Sequence, residues 1–115
     1  MAIQKGNIND SATWSDSELP KVSIVKTDNI SLDVYYFKPG QKIKYHRHPT
    51  GDQIFTVIEG TGKFYLDDNA EETIDVKAGD TFVAPKNVWH DLVNTGSSNL
   101  IAQQVTEQPA GLEWR

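Results

Sequence analysis

The hydrophobic and polar positions of this chain fall into short runs with the period of β-structure. Residues 22–25, VSIV, form one such run. Residues 30–37, ISLDVYYF, alternate at first and then become apolar or aromatic throughout, the mark of a strand covered on both sides near its end. Pro39-Gly40 signals a turn, residues 41–48 (QKIKYHRH) read as a further strand, and residues 49–52 as a loop making a hairpin-like connection to the next strand. Two strong strands follow, QIFTVIEG and GKFYLDD, joined by a tight link with two glycines. Then come EETIDV, TFVA, WHDLVNT and LIAQQVTE, each set off by a turn. No segment has the period of a useful helix. Short strands separated by turn signals predict an all-β sandwich or barrel, and closing the barrel removes exposed sheet edges. The predicted division is an irregular N-terminal arm over residues 1–20, a single barrel over 21–108 and a polar tail over 109–115. Trp14 is expected to pack on the body of the domain or on a partner subunit.

Composition narrows the function. At 115 residues the chain is one domain, and its net charge of -5 argues against a nucleic-acid partner. There is no cysteine, so disulfides, thiolate metal ligands and thiol nucleophiles are excluded. The first residues lack the apolar core of a signal peptide, and no apolar run approaches a membrane span. A cytoplasmic protein is the expectation.

The candidate chemistry lies in the three histidines. His46 and His48 are two residues apart, which in a strand puts both on one face. Such a pair reads either as packed or solvent-facing side chains or as metal ligands. His90, the third, follows a turn that starts at Pro85. The spacing around these residues is specific. Gly40, His46, His48, Gln53 and Gly60 form one series; Gly79, Pro85, Asn87, His90 and Asn94 form another. Together they resemble the double signature of the cupins, with two departures. Asn87 stands where the family has glycine, and Asn tolerates left-handed backbone. Gln53 stands where the family has glutamate.

The resemblance implies a small jelly-roll β-barrel (double-stranded β-helix) holding one divalent metal ion, Fe, Mn, Ni or Zn, on His46, His48, Gln53 and His90. It also implies a homodimer. Phe55 and Val57 share the face of Gln53 by alternation and are expected to wall the pocket. A neutral Gln53 leaves the full charge of the cation uncompensated, so the expected ligand is a small anion. Three functions remain open. The first is a metal-dependent enzyme acting on a sugar acid or an enol or keto compound. It resembles small cupins with a His-His-Gln-His set that linearise unsaturated uronates, although the arginine those proteins carry on a late strand is missing from LIAQQVTEQ. The second is a quercetinase-like dioxygenase, for which Gln53 cannot serve as the base. The third is a non-catalytic binding protein. Glu59 and Tyr36 are the candidate proton-moving residues. Asp52 is expected to cap its loop, and Asp91 to point away from the metal.

Overall fold

The computed structural model describes residues 2–115; Met1, the first residue of the expected arm, lies outside them. Ten strands run in the order β1 (Lys21–Lys26), β2 (Ile30–Phe37), β3 (His46–Arg47), β4 (Gln53–Glu59), β5 (Thr61–Asp67), β6 (Glu71–Lys77), β7 (Thr81–Ala84), β8 (Trp89–Val93), β9 (Leu100–Glu107) and β10 (Glu113–Trp114). They form two five-stranded antiparallel sheets, β1-β2-β9-β4-β7 and β10-β3-β8-β5-β6. No α-helix occurs among the described residues. The architecture is the expected double-stranded β-helix.

Alternation decides what faces the interior. On β2, Asp33, Tyr35 and Phe37 point inward, while Val34 and Tyr36 point out. The main core gathers Tyr35, Phe37, Phe55, Val57, Phe64, Leu92, Leu100 and Ala102 between the sheets. A second cluster lies outside the first sheet. There Trp14, Ile8 and Ala12 of the N-terminal arm cover Val34, Tyr36 and Ile101. Trp14 meets Tyr36 edge to face at 5.5 Å, so the arm packs on the body of its own domain.

Two local expectations change. Residues 41–48 are not one strand: Lys44 adopts a left-handed φ of 85°, and pairing resumes only at His46. Residues 49–52 do not close a hairpin, because β3 and β4 lie in different sheets; the loop carries the chain from one sheet to the other. Within the polar tail, Glu113 and Trp114 pair with Arg47 and His46 as an edge strand. Asn87 does adopt the left-handed geometry that glycine would supply, with φ 63°. Gly60 has a steric reason as well as φ 89°: a Cβ there would lie 2.3 Å from the carbonyl oxygen of Asn99.

Candidate metal centre

Two sheets meet at the site. His46 and His90 are direct cross-strand partners on β3 and β8, which brings their rings to 4.2 Å between centroids. His48 follows two residues after His46, with ring centroids 5.1 Å apart. One ligand atom from each of the three histidines lies within 4.8 Å of the other two. All three side chains are buried or nearly so.

The tautomers follow from the backbone. The Nδ1 of His46 lies 2.8 Å from the carbonyl of Lys44, that of His48 2.7 Å from the carbonyl of Gly111, and that of His90 3.0 Å from the carbonyl of Val88. A carbonyl can only accept, so each Nδ1 carries the proton and each Nε2 presents its lone pair. The Nε2 atoms of His48 and His90 are buried with no hydrogen-bond partner among the described residues. Buried polar atoms are seldom left so, and here they belong to rings of one cluster. Burial lowers the imidazole pKa of His46 to about 4 and that of His90 to about 3, and lowers that of His48 as well. Mutual repulsion among the rings adds to the effect for His46 and His90. The three are neutral donors at neutral pH, as a metal requires. Three imidazoles with second nitrogens anchored on carbonyls fit a divalent ion.

Lys44 explains part of this order. Its left-handed backbone is costly for a residue with a Cβ. Its N–H donates to Asp91 Oδ1 at 2.9 Å, and its carbonyl accepts the hydrogen bond from His46 Nδ1. Asp91 thus faces away from the metal, as expected, while fixing the residue that orients His46. Asp52 accepts from the N–H of Lys86 at 2.7 Å, so its carboxylate ties the loop to the turn after β7 and does not cap the loop itself.

The remaining site expectations divide. Gln53, at the start of β4, is 1% exposed, and its Oε1 also has no partner among the described residues. Phe55 lies one inward position further along, 6.0 Å from the ring of His90. Val57 is deeper in the core. Tyr36 and Glu59 do not reach the cluster. Tyr36 faces outward, where its hydroxyl donates to the carbonyl of Ile8. Glu59 is exposed beyond a register shift at the end of β4. The phenol that faces the site is that of the preceding residue, Tyr35, which lines a cavity of about 640 Å³ together with His46, His48, Lys21, Lys42 and Trp114. Sequence reasoning passed over Lys21 and Tyr35. Their direct pairing across β1 and β2 puts them on one face, but that register is invisible in the chain.

Comparison with known proteins agrees with this geometry. Residues 33–103 match the family model described as the cupin domain. A germin-like protein of Morus alba is 33% identical over 91 residues, which cover 77% of this chain and 42% of that protein. The chain spans less than two thirds of the length of the first curated relatives it matches. A conserved protein with a double-stranded β-helix domain from Klebsiella pneumoniae superposes with a TM-score of 0.88 at 25% identity, covering 97% of this chain and 96% of its own. Oxalate decarboxylase from Lactobacillus farciminis, in a formate complex, superposes with a TM-score of 0.77 at 21% identity. That match covers 92% of this chain and 34% of the decarboxylase, and the likeness is one of fold. The chain belongs to the cupin domain family, with a triad of His46, His48 and His90 suited to a divalent metal ion.

Proposed function

We propose that this cupin is a metal-dependent enzyme acting on a small oxygenated anion, with Gln53 Oε1 as the fourth protein ligand beside the three histidines. One observation carries the reading: lone pairs on His48, His90 and Gln53 are each buried without partners among the described residues, and Gln53 lines the same pocket as His48. The bound ion, Fe, Mn, Ni or Zn, would supply Lewis-acid polarisation of a carbonyl or hydroxyl oxygen. The chain's own residues favour an anionic guest. None of the four donors is charged, so none offsets the cation. Lys21 lines the cavity beside His46 and His48 and makes no ion pair among the described residues. Lys42 and Lys44 line the same space, against Asp16, which is paired with Lys38, and Glu18. Tyr35, raised well above the usual phenol range by burial and by Asp33, keeps its proton and can donate a hydrogen bond to a guest.

The test is to load the protein with each metal in turn and supply oxalate, unsaturated uronates and a flavonol, with and without oxygen. Anaerobic conversion of one of the acids is expected. Oxygen uptake with the flavonol would instead make the protein a dioxygenase, and binding without turnover would make it a binding protein.

The same reading includes a cytoplasmic homodimer. No helix among the described residues is long and apolar enough to cross a membrane. Leu32, Val105, Ile54 and Val83 align in register across the outer face of the first sheet, and Ile54 and Val83 are half-exposed. An apolar row of this kind suits a second copy. Light scattering should give a dimer, and a monomer at high concentration would refute it.

A further inference from the structure

Gln53 could present either end of its amide to the histidines. Nitrogen and oxygen differ little in shape, so neighbouring groups must decide which end points where. Here both neighbours come from β9. The Nε2 of Gln53 donates to Gln104 Oε1 at 3.1 Å and to Thr106 Oγ1 at 2.9 Å. Gln53 and Thr106 are direct cross-strand partners, and Gln104 is the next inward residue on β9. All three side chains are at least 98% buried, so water does not compete for them.

From this arrangement we infer that Gln104, supported by Thr106, is a positioning residue that turns the carbonyl oxygen of Gln53 onto the metal ion. The inference rests on the metal reading above. With both N–H groups of Gln53 directed into β9, the oxygen is the end left over for the pocket that Gln53 shares with His48, and it has no partner among the described residues. A glutamate at position 53 would have no N–H to give. Gln104 Oε1 would then face a carboxylate, and its amide would have to turn over. The neutral ligand and its two acceptors form one matched set, so the charge of the centre is encoded on β9 as well as at position 53.

The experiment titrates Co²⁺ into the full chain and reads affinity by calorimetry and coordination by the visible absorption of the bound ion. The variants are Gln53→Ala, Gln104→Leu, Gln104→Glu, Thr106→Val and His90→Ala. Gln104→Leu should weaken Co²⁺ about tenfold, the lower end of what losing such a support costs, and should shift the spectrum to that of Gln53→Ala. Adding Gln104→Leu to Gln53→Ala should change nothing more. Gln104→Glu still accepts from Nε2 and should restore the wild-type spectrum. Thr106→Val, which keeps its shape, should move both readouts the same way by less, and it carries the test if Gln104→Leu does not fold. Wild-type affinity and spectrum in Gln104→Leu and Thr106→Val, with Gln53→Ala altered, would overturn the inference and leave the metal centre standing. Failure of the wild type to bind Co²⁺, or binding unchanged in His90→Ala, would overturn the metal reading itself.

Discussion

The two ends of the barrel interior are built by the same strands to opposite rules. On β2 the inward row runs Asp33, Tyr35, Phe37; on β4 it runs Gln53, Phe55, Val57; on β9, read from its end, it runs Thr106, Gln104, Ala102, Leu100. Because Gln53 pairs with Thr106, Val57 with Ala102 and Phe37 with Leu100, the polar positions collect at one end and the apolar ones at the other. The apolar end is closed by Phe37, Val57, Leu92 and Leu100, each no more than 1% exposed. The polar end is equally dry around His90 and Gln53, yet it keeps the orphaned acceptors. The innermost residues are equally buried at both ends, but the polar end opens on the cavity through Tyr35 and His48 and keeps acceptors without partners among the described residues. One end therefore stabilises the fold, and the other holds acceptors that a ligand in the cavity can satisfy.

The sharpest way to separate the ends is to damage the apolar one alone. Phe37→Ala removes a fully buried ring from the closed end, and a large-to-small change of this kind costs about 3–5 kcal/mol. Urea unfolding should show that loss, while the metal affinity of the molecules that remain folded stays at the wild-type value. A parallel fall in affinity would mean that the two ends are not independent.

The converse change is His90→Ala. It removes one of the donors and should weaken metal binding on the order of 100-fold, read by calorimetry. It should cost the metal-free fold much less than Phe37→Ala, because it also removes an unsatisfied atom. It should flatten the pH dependence too. Unfolded imidazoles take up protons below about 6.5, but burial holds His90 near 3 and His46 near 4 in the folded protein. The unfolded state thus binds more protons in this window. Metal-free stability, complete above about pH 6.5, should fall as the pH drops toward 4. Removing His90 removes its share of that slope. An unchanged slope would mean that the ring is not held neutral.

Gln53→Glu probes the charge at the polar end. It should tighten metal retention and weaken carboxylate binding, each by about tenfold, on the order of a single charged hydrogen bond. Anion affinity that did not change would refute the argument from an uncompensated cation.

How far the sequence announced this contrast depends on the kind of signal. The strand runs and the two glycine-and-histidine series were legible because period and spacing are local properties. The sheet assignment of β3 and β4 was not, since a loop of four residues can close a hairpin or cross between sheets. The docking of β10 was hidden for a related reason: a strand of two residues has no period. Gln104 and Thr106 were visible as a late polar strand, but their role depends on pairing with a residue some fifty positions away.

Position 36 shows most clearly where the pattern ran out. In VYYF every residue is apolar or aromatic, so alternation cannot say which tyrosine faces inward, and a slip of one residue exchanges the faces. The structure gives the interior to Tyr35 and the outside to Tyr36. Tyr36→Phe therefore provides the smallest and most selective test. It deletes the hydroxyl that holds the carbonyl of Ile8 and leaves the ring against Trp14. The expected loss is about 1 kcal/mol, the usual net worth of one such bond. It should appear in thermal unfolding and in faster protease cleavage of the arm, with metal and anion binding unmoved. A loss of ligand binding in Tyr36→Phe, but not in Tyr35→Phe, would mean that the parity of β2 is the reverse of that described and that the polar row begins on the other face.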